Sequence, residues 1–196
     1  MKKLGILASG GGSNLQAVLD ACVAGEINGH VALVISSNPQ AFALTRAKNG
    51  GVPVFVAALS DFGSREKRDN FILETLQKYA VDYVILAGYL GILTPPLVSA
   101  FERRMINIHP SLLPSFGGPG LHGLNVHRAV IAAGEKKSGA TVHFVDAGID
   151  TGAVIAQGTL DVLPSDTPES LQARILTEIE HKLLVRVLKE LCGGSG

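Results

Sequence analysis

Short apolar runs alternate with longer stretches of mixed polarity along this chain, and the two recur in turn from the first residues. The run 4–8 reads as a strand ending in glycines, with Ser13 placed to cap a helix over 14–23. Residues 31–36 predict a second strand, 41–49 a helix stopped at Gly50 and Gly51, and 52–57 a third strand. Ser64 opens a helix running to about residue 79, without a full capping box. The unbroken apolar stretch 83–87 is typical of a central parallel strand covered on both faces. A short helix near 95–100 then leads to a strand over 105–108, a glycine-rich loop at 115–124 and a helix over 126–133. Strands at 141–145 and 154–160 enclose the connection 146–152. The last helix, 168–191, carries Leu171, Ile175, Ile179, Leu183 and Val187 on one stripe. Together these predict an α/β fold: a doubly wound, mostly parallel sheet with antiparallel C-terminal strands, forming a single domain over 1–192. Residues 193–196 are expected to be a flexible tail.

Composition narrows the class. The chain has 196 residues, 46% hydrophobic and 17% charged, which describes a folded domain with a sizeable core. Lys and Arg total 17, as do Asp and Glu, so the balance argues against a nucleic-acid partner. Cys22 and Cys192 lack metal-type spacing and are expected to stay reduced, and no metal site is expected. No secretory signal pattern follows Met1, and no apolar stretch approaches the ~20 residues that cross a bilayer. A cytoplasmic protein without a membrane partner is the expectation.

Three loops carry the chemistry. Asn107 and His109 are two residues apart where a hydrophobic run stops at Pro110, so in a strand they project to one side. An amide donor beside a titratable ring suits acyl transfer at a developing oxyanion. An ordinary strand-to-loop exit fits the same two residues taken alone. Ser9, Gly10, Gly11, Gly12, Ser13 and Asn14 follow the first strand and open the first helix, an arrangement that favours a phosphate through backbone N–H groups and the helix dipole. It is neither a Walker loop nor the dinucleotide fingerprint, because no Gly-Lys-Ser/Thr follows and the third glycine falls at Leu15. A plain glycine turn is the alternative. After His143, Asp146 and Asp150 share a loop with Gly148 and Gly152, and a carboxylate there raises the pKa of a neighbouring imidazole. His143 itself reads as a packed strand residue, and His127 as a brace at a helix start. Arg65 and Glu180, taken singly, read as solvated helix positions. All three loops are expected at the carboxyl edge of the sheet, where such folds bind ligands.

Taken in order, residues 9–14, 86–89, 107–114, 139–145 and 150–152 resemble the phosphoribosylglycinamide formyltransferases (folate-dependent glycinamide ribonucleotide transformylases) over essentially the whole chain. The string Asn-x-His-Pro-Ser-Leu-Leu-Pro with a downstream Asp-x-Gly is specific for the wider formyltransferase superfamily, and the N-terminal glycine loop narrows it to this member. The resemblance implies formyl transfer from 10-formyltetrahydrofolate to the amine of 5-phosphoribosylglycinamide, in purine biosynthesis, through a tetrahedral oxyanion. It places Asn107, His109 and Asp150 in the catalytic trio, with His109 held charged by Asp150. Gly11, Gly12, Ser13, Asn14 and Glu180 fall at phosphate and ribose positions. Arg65, Leu90, Gly91, Ile92, Leu93, Asn107, Asp146, Ala147, Gly148, Ile149 and Asp150 fall at folate positions. Small-molecule substrates and a monomer or weak homodimer are implied, with no metal.

Two departures from the family pattern stand out. Gly91 replaces a residue that is basic in many members, and the loop 115–125 is longer and richer in glycine. Relatives sharing the trio, a formyltetrahydrofolate deformylase and a methionyl-tRNA formyltransferase, carry an additional domain for which this chain has no room. A silent phosphate-binding module needs no oxyanion donor, and a nicotinamide oxidoreductase needs an intact fingerprint.

Overall fold

Seven strands form one sheet in the order β3-β2-β1-β4-β5-β6-β7. They are β1 (Lys2–Ala8), β2 (Gly29–Ser36), β3 (Val54–Val56), β4 (Tyr83–Leu86), β5 (Met105–His109), β6 (Lys137–Phe144) and β7 (Val154–Asp161). The structure, a computed structural model, describes residues 1–193; the tail expected at 193–196 lies, from 194 onward, outside the described residues. Strands β1 to β5 pair in parallel, whereas β6 runs antiparallel to both β5 and β7. The mixed sheet is the one the hydrophobic pattern predicts.

Helices α1 (Ser13–Val23), α2 (Phe42–Asn49), α3 (Leu59–Phe62), α4 (Arg65–Lys78), α5 (Pro95–Ala100), α6 (Leu124–Ala132), α7 (Pro168–Arg174) and α8 (His181–Leu191) cover the sheet. Alternating side chains of the strands feed two cores. Leu4, Ile6 and Ala8 of β1 join α1, α2 and the C-terminal helices in one, while Leu7 faces the other, with Ile72 and Leu76 of α4 and Leu97 of α5. The same alternation in β5 sends Ile106 and Ile108 into the first core and leaves Asn107 and His109 on the opposite face.

Three local expectations need correction. Ser13 is the first residue of α1 and not its cap; Gly12 holds that place in a left-handed conformation (φ 71°) with no side-chain cap. A Cβ on Gly12 would lie 2.7 Å from the Cα of Ala43, so only glycine lets α2 approach, and the Ser13 side chain is left free for other work. Second, the last helix is not continuous α-helix: a π-helical turn, Ile175–Glu180, separates α7 from α8. The wider turn moves the inward face by one position, so Glu180 is buried and Ile179 only partly so. Third, α3 had no counterpart in the pattern, being four residues without a buried position. Cys22 and Cys192 are both free thiols, and burial, together with the neighbouring Cys192, pushes the Cys22 thiol up to about 11.

Candidate active site

The strand order reverses between β1 and β4, which is where a doubly wound sheet opens a crevice at its carboxyl edge. A cavity of about 880 Å³ lies there, lined by residues 9–14, 86–93, 107–110, 118–123 and 145–150 and by parts of the C-terminal helical run. That volume is at the upper end of ordinary ligand pockets.

The glycine loop is fixed from outside by α2. Arg46 Nε donates to the Gly11 carbonyl oxygen at 2.8 Å, and the Ala43 N–H donates to the Gly10 carbonyl oxygen at 3.1 Å. With two loop carbonyls turned to α2, Ser13 and the first N–H groups of α1 are available at the cavity wall. Asn14 Nδ2 donates to Glu180 Oε2 at 2.7 Å, across 166 residues, and Asn14 Oδ1 has no partner among the described residues. Burial pushes the Glu180 carboxyl up to about 6, against the lowering effect of the Asn14 bond. The π turn is what delivers this acid to the glycine loop.

Asn107, His109 and Asp150 converge as expected. Antiparallel pairing sets Asn107 directly opposite His143, a register that brings cross-strand side chains together. Asn107 Nδ2 donates to His143 Nε2 at 3.1 Å and lies 3.5 Å from Asp150 Oδ1. The first bond requires the His143 proton on Nδ1, where it donates to the Phe144 carbonyl oxygen at 2.9 Å. His143 therefore belongs to the site, although its strand position alone suggests packing.

His109 is wedged between two acceptors. Its Nε2 faces the Phe116 carbonyl oxygen at 2.9 Å, and its Nδ1 lies 3.5 Å from Asp150 Oδ2. Burial lowers the pKa of the ring, outweighing the raising effects of Asp150 and of the Phe116 carbonyl. Asp150 draws the ring toward its charged form, as the resemblance implies, while in the ligand-free site burial has the larger effect. A neutral ring leaves one of the two acceptors without a hydrogen, so the geometry is ready for a second proton.

Asp150 reaches these partners from a strained backbone. Its φ is 57°, in the left-handed region that aspartate tolerates better than most residues. The preceding strand, β6, is antiparallel to β5, so the 145–153 connection does not begin at a parallel strand's carboxyl end, as the sequence suggested for all three loops. The Gly118 N–H donates to Asp150 Oδ2 at 3.0 Å, and a Cβ on Gly117 would sit 3.3 Å from Asp150 Cβ and 2.5 Å from Leu113. The glycine-rich loop is thus glycine-rich partly in order to close on Asp150. Burial would raise this carboxyl, but the proton that His143 or His109 can take up beside it and the Gly118 N–H hold it below the usual carboxylate range.

Also on the cavity wall, Leu90, Ile92 and Ile149 expose apolar side chains beside the backbone of Gly91 and Gly148. Arg65 does not join them. It is exposed in the first turn of α4 and outside the cavity wall. The buried guanidinium on that helix is Arg68, 3% exposed, which the sequence pattern did not single out. His127 lines the cavity and is fully buried, with neither ring nitrogen bonded among the described residues. Within those residues no group of three or more His, Cys, Asp or Glu side chains is placed to hold a metal ion.

A family model described as formyl transferase matches residues 2–188. The chain belongs to the formyl transferase family. Among curated relatives of this formyltransferase domain, the chloroplastic phosphoribosylglycinamide formyltransferase of Arabidopsis thaliana is 43% identical, over 97% of this chain and 65% of its own length. The phosphoribosylglycinamide formyltransferase of Haemophilus influenzae is 40% identical, over 96% of this chain and 86% of its own. The crystal structure of glycinamide ribonucleotide transformylase 1 from Symbiobacterium toebii superposes with a TM-score of 0.93 at 43% identity, covering 99% of this chain and 89% of that one. The chain spans less than two thirds of the chloroplastic relatives, 65% and 61%, and 14% of a trifunctional purine biosynthetic protein of Drosophila melanogaster. The formyltransferase assignment covers the fold and all three chemistry-bearing loops, since the matched span contains each of them.

Proposed function

We propose that the protein transfers a formyl group from 10-formyltetrahydrofolate to the amine of 5-phosphoribosylglycinamide. The observation that carries this reading is the meeting of Asn107, His109 and Asp150 inside one cavity that also contains the glycine loop. The phosphate would lie against Gly11, Gly12, Ser13 and Asn14, and the ribose hydroxyls near Glu180 and the unpartnered Asn14 Oδ1. A pterin would rest on the exposed apolar side chains of Leu90, Ile92 and Ile149, with Gly91, Leu93 and residues 146–150 offering backbone groups. Arg65 has no part in this site as it stands, and a folate tail extending toward α4 is the route by which it would gain one.

The folate supplies an activated formyl carbon, to which the acceptor amine adds with negative charge developing on the formyl oxygen. Asn107 donates to that oxygen; its second N–H is held only by the 3.5 Å contact to Asp150, so it can be given up. Neutral His109 takes the proton that the amine must lose and returns it to the departing nitrogen, directly or through one water. The ring is then charged only while the oxyanion exists, which confines the attraction to the transition state. Asp150 and the Phe116 carbonyl hold both N–H groups of that transient imidazolium. His143 fixes the Asn107 amide. No step calls on a metal.

We further propose that the protein works on small molecules alone, in the cytoplasm, as a monomer or weak homodimer; no helix among the described residues is long and apolar enough to cross a membrane. Incubation with the formyl donor and the ribonucleotide, followed by folate absorbance, tests the activity. Formylated ribonucleotide is the expected product. Release of formate without an amine acceptor, or no turnover of the donor, would defeat the assignment.

A further inference from the structure

The segment from Gly88 to Thr94 leaves β4 as irregular backbone, and most of it walls the cavity where the folate is placed above. Irregular backbone needs fastening from elsewhere. At its start, the Ser9 N–H donates to the Gly88 carbonyl oxygen at 3.1 Å, and the Leu90 N–H donates to Ser9 Oγ at 2.9 Å. At its far end the fasteners are Arg68 and Asp69 of α4. Arg68 Nη2 donates to the Ile92 carbonyl oxygen at 2.7 Å, and the Thr94 N–H donates to Asp69 Oδ2.

Arg68 and Asp69 are 3% and 1% exposed, and they bond each other through Arg68 Nη2 and Nε to Asp69 Oδ1 at 2.7 and 2.8 Å. Neighbours in a helix do not ordinarily face one another. Here both side chains bend to the same target, the backbone of 92–94. A buried ion pair is a poor device for stability, because desolvation offsets most of the attraction and apolar residues would serve as well. What this pair adds is direction. It anchors one carbonyl and one N–H while the N–H groups of Gly91, Ile92 and Leu93 remain without partners among the described residues.

Gly91 fits the same picture. A Cβ there would lie 2.6 to 2.8 Å from the Tyr89 ring, so a side chain at this position would require that ring to move. The guanidinium that touches the segment comes from α4.

We propose that Arg68 and Asp69 are positioning residues that hold backbone 90–94 in the geometry that receives the formyl donor. This rests on the formyl-transfer reading. The test is steady-state kinetics with each substrate varied, together with thermal unfolding, on the double variant Arg68→Met/Asp69→Leu and on the single variants Arg68→Lys and Asp69→Asn. The double variant removes both charges and leaves neither partner orphaned, so a merely structural pair is replaced without loss. The expected result is a donor KM raised about tenfold or more, from the loss of charge-assisted hydrogen bonds, with the ribonucleotide KM changed less than about twofold and Tm near that of the parent. Arg68→Lys should fall between, since an ammonium reaches one of the two contacts. The single variants carry the same KM comparison if the double variant does not fold. Unchanged donor KM with lowered Tm, or equal rises in both KM values, overturns the positioning role while leaving formyl transfer intact. A parent protein that transfers no formyl group overturns both.

Discussion

Glu180→Gln should make the ligand-free protein more stable and a worse enzyme. Burial raises this carboxyl from an ordinary 4.5 to about 6, with Asn14 bonded to one oxygen. The folded chain therefore binds the proton more tightly than the unfolded chain does. The stability tied to that proton is fully present below pH 4.5 and is lost as pH rises through 6. At 1.36 kcal/mol for each pH unit, the gap is worth about 2 kcal/mol at pH 8. Glutamine has the shape of the neutral acid, and its oxygen can keep the Asn14 bond. Denaturant melts of parent and variant at pH 4 and pH 8 should agree at the lower pH and differ by about 2 kcal/mol at the higher. The variant loses an ionised acceptor for the ribose hydroxyls, so its ribonucleotide KM should rise roughly tenfold or more. A variant no more stable at pH 8 than the parent would refute the burial argument. A stabilised variant with unchanged ribonucleotide KM would refute the ribose contact alone.

Other outcomes follow from the same geometry. Asn107→Ala should lower kcat about 10²–10³-fold, and His109→Ala on the order of 10²–10⁴-fold, with ligand affinities largely kept; near-normal turnover in either removes the assigned role. Gly117→Ala forces a methyl against Leu113 and Asp150, and displacement of that carboxylate should cost about 10–100-fold in kcat, measured beside an unchanged circular dichroism spectrum. His127 is held near pKa 4 by burial, with His109 adding to the shift. Its folded value lies below the ordinary 6.5, so stability is present above pH 6.5 and falls by about 3 kcal/mol as pH drops through 4. Melts of His127→Leu across that window should lose this part of the slope, and an unchanged slope would contradict it.

The sheet was legible because its strands announce themselves as short apolar runs, and the Asn107–His109 pair because a two-residue spacing at a strand end admits one geometry. The glycine loop was legible for a similar reason, although its cap was misplaced: the left-handed Gly12 is demanded by Ala43, which sequence does not put beside it. His143 was hidden because its role depends on the β5–β6 register, a long-range fact that no local pattern encodes. Glu180 was legible by resemblance only. A 3.6-residue period places Ile179 inward, and the π turn that brings Glu180 in has no hydrophobic signature. Arg65 was singled out by resemblance, whereas Arg68 carries no mark in the sequence, since two arginines three residues apart on one helix look alike until burial separates them.

The most direct test of the account is a crystal structure with the ribonucleotide and a non-transferable formyl-folate analogue bound together. The account predicts the formyl oxygen within hydrogen-bond distance, about 2.7–3.2 Å, of Asn107 Nδ2, with the amine nitrogen in reach of His109 directly or through one water. A formyl group bound elsewhere in the cavity, with the second Asn107 N–H still directed at Asp150, would contradict the account.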